Sequence, residues 1–346
     1  MRISLKSILC NTSYAFNLPK YLGPFGKNKV IILMYHGIVK SYSQNPLKDI
    51  YGFNISVNQF EEQMVYLSNQ CNVIKASEAI SGQNISHNRK NVVITFDDGY
   101  RNNYTNAFPI LLKYNLPALF SLPTAFVVNR VPLWNDLIEY AVITTKKRAV
   151  RIKWNDVFSD FRLDAITEKI EFLKWLLFKC TEIAQEERER FIFNVFNELD
   201  VPFDNNKILE DPNYEPLSPQ EIKILSESKM IEFASHSENH YVLSRVNKNT
   251  LINELKNSKI AISIMTSMPC KYFCIPGGHY NDSVIDTILE AEFEKIFSSD
   301  NIEFQPMNTQ NVIGRHCIYK FTTKPLFVDI IHGPFHRISY ALRSKK

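Results

Sequence analysis

Short apolar runs that end in polar residues recur along the chain. Their sequences are KVIILMYHG (29–37), NVVITFDDG (91–99), MIEFASHSENH (230–240), KYFCIPGGHYN (271–281) and EKIFSSD (294–300). Each run begins like a buried strand and ends like a loop, and segments with helical periodicity lie between several of them, such as residues 56–70 and 250–265. Alternating strands and helices predict an α/β fold with a parallel sheet and outer helices. The C-terminal ends of such strands meet on one face, where these folds carry their chemistry.

The alternation stops between about Val131 and Pro216. The stretches WNDLIEYAVI and ITEKIEFLKWLLFKCTEIAQEERERFIFNVFNEL have helical periodicity, and we see no strand of the earlier kind there, so we predict a helical insertion with its own apolar faces. The predicted organisation is an N-terminal segment (1–28), a sheet-forming unit (29–130 and 217–320), the insertion (131–216) and a C-terminal segment (321–346).

Composition and charge narrow the choice of partners only slightly. A chain of 346 residues with 45% hydrophobic content can bury a sizeable core. Its net charge of +4 arises from 40 basic and 36 acidic residues without a long basic block, so no nucleic-acid surface is predicted. The six cysteines lack the paired spacing of a disulfide framework, and we interpret Cys270 and Cys274 as buried thiols rather than metal ligands.

The terminal sequences lead us to expect a cytoplasmic protein. The first 20 residues include Lys6 and other polar residues where a signal peptide needs an unbroken apolar stretch of roughly 7 to 15 residues, and no run approaches a membrane span. The C-terminal stretch mixes apolar residues with cations, as a segment at the inner membrane surface would, although a last strand and helix with a solvated tail is the simpler interpretation. Those cations are Arg337, Arg343, Lys345 and Lys346.

Two adjacent carboxylates end the second run and suggest a cation site. Asp97 and Asp98 repel each other, and Gly99 would let both turn toward one ion that offsets this repulsion. His236 and His240 are four residues apart, a spacing that puts both imidazoles on one side of a helical turn. With Asp98 they would form the two-histidine, one-carboxylate arrangement of many metal sites. An isolated HxxxH pair is more often structural, and its place at a strand end is what favours a metal.

Two of these motifs resemble those of the polysaccharide deacetylases of carbohydrate esterase family 4. TFDDG (95–99) is similar to the family's first motif and HSENHYVL (236–243) to its second, in the same order. The resemblance implies that Asp98, His236 and His240 hold a divalent ion, zinc by expectation, and that Asp97 is the general base. It also implies a distorted parallel (β/α) barrel of fewer than eight strands, with the metal in a groove at the strand C-termini.

A third motif is present in altered form. FCIPGGHYN (273–281) resembles the proline loop whose backbone supports the oxyanion, here through the N–H of Gly277. Many members have an arginine and an aromatic residue where this chain has Cys274 and Gly277. One branch of the family, which has an aromatic-rich strand before the proline, also lacks that arginine. MYHGI (34–38) resembles the tyrosine–histidine strand end with which members of that branch begin.

Several histidines are candidates for the catalytic acid. His36 ends a predicted strand, His279 lies on the proline loop, and His332 in VDIIHG resembles the family's last histidine motif. His316 follows Arg315, and we expect Arg315 to orient the base because the branch often carries a proline–arginine pair there. We carry His36 and His332 forward as the leading candidates; a structural, hydrogen-bonded role is an equal alternative for each.

The expected function is metal-dependent removal of an N-acetyl group from an amino sugar of a polysaccharide or of a glycan or glycolipid precursor, as in surface-glycan biosynthesis. A cytoplasmic location would favour a nucleotide-linked or lipid-linked precursor. Alternatives are an amidase or imidase with a non-sugar substrate and an inactive carbohydrate-binding homologue. The presence of Asp97, Asp98, His236 and His240 together argues against the inactive homologue.

Overall fold

The computed structural model describes residues 29–154 and 156–333. The N-terminal segment and the four C-terminal cations lie outside the described residues. The strands are β1 (Val30–Tyr35), β2 (Ile38–Val39), β3 (Ile55–Ser56), β4 (Cys71–Val73), β5 (Lys90–Phe96), β6 (Ala118–Leu122), β7 (Ala149–Trp154), β8 (Val157–Arg162), β9 (Ile231–Ser235), β10 (Tyr272–Cys274), β11 (Lys295–Phe297), β12 (Val312–Ile313) and β13 (His316–Cys317).

Several helices begin at a residue whose side chain caps the first turn. Ser56, Ser218 and Asn247 each accept a hydrogen bond from the backbone N–H three residues later. The helices are α1 (Val57–Gln70), α2 (Ala76–Ser81), α3 (Phe108–Tyr114), α4 (Thr124–Asn129), α5 (Trp134–Thr144), α6 (Ile166–Glu182), α7 (Gln185–Glu198), α8 (Asn205–Ile208), α9 (Pro219–Glu227), α10 (Lys248–Thr266), α11 (Asp282–Glu290) and α12 (Lys324–His332).

The main sheet is parallel and curls into a distorted barrel. Its strand order is β12-β11-β10-β9-β6-β5-β1-β13, with β4 paired to β5. The first and last strands of this order, β12 and β13, are separated in sequence only by Gly314 and Arg315, so the two ends of the sheet must lie close together. A side chain on Gly314 would collide with the backbone oxygen of Asp300. The sheet contains nine strands, more than the fewer than eight that the resemblance implied, whereas the predicted distorted parallel (β/α) barrel is confirmed.

Side chains alternate between the inside of the barrel and its outer helical layer. Val30, Ile32 and Val93 belong to one buried cluster, whereas Ile31 and Leu33 belong to the larger cluster that includes α1. Side chains two apart on a strand share a face. The side chains of Val93, Thr95 and Asp97 therefore lie on the same face, so the interior becomes polar at the C-terminal end of β5.

The insertion between β6 and β9 contains α5 to α8, which includes the helices predicted from its periodicity. The predicted helical insertion also contains two strands that were not predicted, β7 and β8, which form an antiparallel hairpin. The segment Ala149–Trp154 alternates strictly, with Val150 and Ile152 buried and Arg151 and Lys153 exposed, a period-two signal that the surrounding helical pattern obscured. In the described part of the chain, no helix is both long enough and apolar enough to cross a bilayer.

Candidate metal and catalytic site at the strand ends

The chain turns sharply after β5, and the carboxylates of Asp97 and Asp98 contact different neighbours. The Asp97 N–H still donates to the Tyr35 oxygen at 2.9 Å, as in a continuing sheet. Asp98 and Gly99 then adopt left-handed conformations with φ values of 74° and 70°, and φ above zero is uncommon for a residue other than glycine. The expectation that both carboxylates turn to one ion is corrected here, since Asp97 points to Arg315 and Asp98 to the histidines.

Asp98, His236 and His240 form a compact donor cluster. Asp98 Oδ1 lies 3.4 Å from His236 Nε2 and 3.3 Å from His240 Nε2, and the three potential ligand atoms all lie within 4.8 Å of one another. The Nδ1 atom of His236 lies 2.8 Å from the Cys274 oxygen, so its N–H can donate there while Nε2 keeps its lone pair for the cluster. Burial raises the pKa of Asp98, but the hydrogen bonds that both histidines donate when they are protonated hold this pKa well below its usual value. The donor set fits a divalent ion.

The two histidines are presented by a loop, so the predicted helical turn is wrong. Ser237 and His240 both have positive φ values, 63° and 56°. The N–H groups of Glu238 and Asn239 donate to Glu254 Oε2 at 3.0 and 2.8 Å, and the Asn239 side-chain amide donates to Glu254 Oε1 at 2.6 Å. A single buried carboxylate on α10 therefore receives three hydrogen bonds from the loop.

The same loop is fixed from its other side by α4. The N–H groups of Thr124 and Ala125, at the start of that helix, donate to the oxygens of Ser237 and Glu238 at 3.2 and 2.8 Å. Sequence reasoning missed Glu254. Glu254 could have been noticed in the sequence because it stands between Leu251 and Leu255 on the buried face of α10. A carboxylate is unfavourable there unless it has hydrogen-bond partners.

Asp97 and Arg315 form a buried, two-pronged ion pair. Arg315 Nη1 and Nη2 each lie 2.7 Å from one carboxylate oxygen, and both side chains are almost inaccessible to solvent. Arg315 also donates to the Ser298 oxygen at 3.0 Å, and the Ser121 hydroxyl donates to Asp97 Oδ1 at 2.5 Å. Burial raises the pKa of Asp97, yet the positive charge of Arg315 outweighs it and lowers the pKa to about 2.

His36 is brought close to both carboxylates. It follows β1 directly, its ring packs on Phe53 at a centroid distance of 4.6 Å, and its positive charge would lower the pKa of Asp97 and of Asp98. Within the described part of the chain, its buried Nδ1 atom makes no hydrogen bond. Gly277 lies on the 3₁₀ turn Pro276–Gly278 with φ 61°, a conformation that suits glycine.

His332 and His316 are not brought to the carboxylates. His332 Nε2 lies 4.0 Å from the Cys71 sulfur, and Cys71 pairs with Lys90 at the opposite end of β5 from Asp97. The seven residues of β5 extend over roughly 20 Å, so the assignment of His332 to catalysis is corrected. His316 aligns with the outward-facing Leu33. Burial and the charges of Arg245 and Arg188 lower the pKa of His279.

The insertion contacts the site through two tyrosines that follow the metal-site motifs. The Tyr100 hydroxyl donates to both carboxylate oxygens of Asp136 on α5, at 2.9 and 3.1 Å. The Tyr241 hydroxyl donates to Glu189 Oε1 on α7 at 3.0 Å. Burial, together with the charges of Glu139 and Asp98, raises the pKa of Asp136 well above its usual value. The insertion is therefore attached next to the reacting groups by polar contacts.

A family model described as polysaccharide deacetylase matches residues 84–143 and 179–296. A Bacillus subtilis protein named provisionally as polysaccharide deacetylase YxkH is 37% identical over 105 residues, which are 30% of this chain and 33% of that protein. The poly-beta-1,6-N-acetyl-D-glucosamine N-deacetylase of Staphylococcus aureus is 30% identical over 120 residues, 32% of this chain and 39% of that protein. The matched stretches thus span between a third and two fifths of these relatives.

Solved structures share the fold over most of the chain. The Streptococcus pyogenes deacetylase PplD, in complex with acetate, superposes with a TM-score of 0.57 at 15% identity and covers 89% of this chain and 99% of its own. IcaB from Ammonifex degensii superposes with a TM-score of 0.55 at 16% identity, over 88% and 97%. The family model omits residues 144–178, which contain the β7–β8 hairpin and most of α6.

Replacing Arg315 should destabilise the fold strongly. Arg315→Met removes the charge but keeps much of the side-chain volume, and it leaves Asp97 buried without a counter-ion. We expect the free energy of unfolding to fall by about 3–5 kcal/mol in urea titrations of chelator-treated protein. Arg151→Met is the control, because it breaks the exposed Arg151–Asp160 pair, and such pairs contribute little. Equal urea midpoints for the two variants would contradict this account.

Proposed function

The chain belongs to the polysaccharide deacetylase family, and on that premise we propose that it is a metal-dependent hydrolase that removes an N-acetyl group from an amino sugar of a polysaccharide or of a glycan precursor. The observation that carries the proposal is that a cluster of possible metal ligands and a separate ionised carboxylate lie next to each other. The Asp98–His236–His240 cluster offers three donors to one ion, and the ionised Asp97 directly precedes Asp98 in the sequence. Together they supply what hydrolysis of an unactivated amide requires, a polarising charge and a proton acceptor.

Asp98, His236 and His240 would hold the ion, which we expect to be zinc. When bound, it would provide a water molecule whose pKa is lowered from 15.7 toward about 7, together with a positive charge for the acetamide carbonyl. The fixed loop around His236 and His240 means that these donors need little rearrangement to bind it.

Asp97 would accept a proton on Oδ2. Its Oδ1 atom already accepts from Arg315 and Ser121, whereas Oδ2 accepts only from Arg315 among the described contacts. The two-pronged contact with Arg315 fixes the plane of the carboxylate and so the direction of the remaining Oδ2 lone pair. A pKa of about 2 keeps Asp97 ionised at neutral pH but makes it a weak base, so it is suited only to a strongly acidified water.

His36 would return a proton to the leaving amine. It is half-buried, follows the C-terminal end of β1 and lies near both carboxylates, and Phe53 supports one face of its ring. The Gly277 N–H, in an exposed turn, would donate to the oxyanion, a contribution typically of about 3 kcal/mol per donor. The substrate class follows from the family and from the Staphylococcus aureus relative named for an N-acetylglucosamine polymer. A cytoplasmic location and a precursor substrate stay predictions.

The main test measures acetate release from a β-1,6-linked N-acetylglucosamine oligosaccharide with zinc-loaded protein. Wild type should release acetate, and Asp97→Asn should lose roughly 10²-fold or more in kcat while its metal content is unchanged, because the amide keeps the shape but cannot accept the proton. Asp98→Ala should lose both metal and activity. Zinc-loaded wild type that releases no acetate, or an Asp97→Asn variant with normal turnover, would overturn the mechanism.

Two histidine variants separate the candidate acids. His36→Gln should lower kcat by roughly 10²-fold with unchanged metal content, since the leaving amine would lack its proton donor. His332→Gln, at the opposite end of the barrel, should retain activity per folded molecule. If His332→Gln lost activity and His36→Gln kept it, His332 would replace His36 as the proposed proton donor.

Loss of the Glu254 carboxylate should weaken metal binding without removing a ligand. Glu254→Gln removes the charge and places an NH2 donor where at least one of the three hydrogen bonds from the loop needs an acceptor, and changes behind metal ligands typically cost 10- to 100-fold in affinity. Glu238→Gln is the matched control: it removes a charge of the same sign from the loop itself, and its carboxylate accepts from the Asn257 amide and not from the loop backbone among the described contacts. Calorimetric zinc titrations should give a weaker Kd for Glu254→Gln alone, and identical values for both variants would argue against this positioning.

A further inference from the structure

Four aromatic side chains form an exposed strip beside His36. We call Tyr51, Phe53, Tyr319 and Phe321 the aromatic strip. Phe321 is 65% exposed, Tyr51 46% and Tyr319 37%, and the Phe53 ring lies between the other two at centroid distances of 6.1 Å from Tyr51 and 5.5 Å from Tyr319. Single exposed apolar residues are ordinary, but a contiguous group of aromatic rings on a surface marks a binding region.

The strip is held in place by hydrogen bonds between its two loops. The Lys320 N–H donates to the Gly52 oxygen at 2.8 Å, which joins residues 51–53 to residues 319–321. Gly52 has φ 80°, and a side chain on it would press into the Phe321 ring. Asp49 accepts from the N–H of Phe53 at 2.7 Å and fixes the first loop further. Rings positioned in this way lose little conformational freedom when a ligand binds.

The strip is continuous with the proposed catalytic site. The Phe53 ring packs on His36 at 4.6 Å with an interplanar angle of 39°, and the oxygen of Tyr35, the residue before His36, accepts from the Asp97 N–H at 2.9 Å. If the reacting acetamide of a glycan lies between Asp97 and His36, the neighbouring sugar unit of that glycan would therefore lie over Phe53 and the exposed rings around it.

The charges at the edge of the strip favour a neutral ligand. Lys320 Nζ lies 3.5 Å from Asp49 Oδ2 and 2.8 Å from the Asp49 backbone oxygen, so this cation and this anion satisfy each other. The exposed surface is then aromatic, which suits the apolar C–H faces of a pyranose ring, whose hydroxyl groups stay in water. A phosphate or pyrophosphate group would find its nearest cation already paired.

We propose that the aromatic strip is a sugar-binding subsite that holds a neutral pyranose unit adjacent to the one being deacetylated. The proposal rests on the proposed function and extends it, because it makes an oligomeric glycan a better substrate than a single amino sugar.

The test compares kcat/KM for a β-1,6-linked N-acetylglucosamine pentamer with kcat/KM for the methyl glycoside of the monomer. Wild type should prefer the pentamer, and Tyr51→Ala/Phe321→Ala should reduce that preference about tenfold, chiefly through KM. Phe321→Trp should preserve it and Phe321→Leu should not, because stacking needs an aromatic face. The matched control is Phe158→Ala, an exposed phenylalanine on the β8 strand, which should behave as wild type.

A binding measurement separates failure of this inference from failure of the proposed function. Calorimetry with the Asp97→Asn protein should show the pentamer binding about tenfold more weakly once Tyr51 and Phe321 are alanine. If wild type releases acetate but neither the preference nor the Kd changes, the subsite is wrong. If no variant releases acetate and the Kd still changes, the strip binds sugar and the proposed chemistry is wrong.

Discussion

Arg315 is buried in the link between the two ends of the curled sheet, and the orientation of the proposed base depends on how the charge of Arg315 is satisfied. It occupies the two-residue link between β12 and β13, and its partner Asp97 extends from β5 near the middle of the strand order. A buried guanidinium costs several kcal/mol unless it is paired and hydrogen-bonded. The carboxylate of Asp97 and the oxygen of Ser298 meet that need, so the contact that closes the barrel also orients the proposed base.

The environment gives two neighbouring carboxylates different roles. Inward alternation along β5 directs Asp97 into the barrel, and the left-handed turn at Asp98 directs the next side chain toward the histidine loop. Opposite charge lowers the pKa of Asp97, whereas histidine hydrogen bonds lower that of Asp98. Both are ionised at neutral pH, but only Asp98 lies within the donor cluster, which is why adjacent aspartates can act as ligand and base.

Sequence reasoning succeeded where the relevant interactions are local and failed where they are distant. The run into Asp97 and Asp98, and the placement of His36 after a strand, could be predicted because a strand and its end are contiguous. The conformation of residues 236–240 could not, since it is imposed by Glu254, which lies on another element. His332 matched a motif in sequence, but packing of α12 beside Cys71 places it at the wrong end of the barrel. Arg315 was identified through family resemblance, and its geometry with Asp97 became visible only in the folded chain.

The charge balance around the site extends to Asp136 on α5. The Asp97 charge is cancelled by Arg315, and burial together with nearby Glu139 and Asp98 raises the pKa of Asp136, whose neighbour Tyr100 joins the insertion to the end of β5. Asp98 is then the one uncompensated anion in the donor cluster, because the histidines are neutral as ligands. A divalent ion there would keep about one positive charge to polarise a carbonyl. Because burial and neighbouring negative charge raise the pKa of Asp136, the insertion adds less negative charge beside the donor cluster than an ordinary aspartate would.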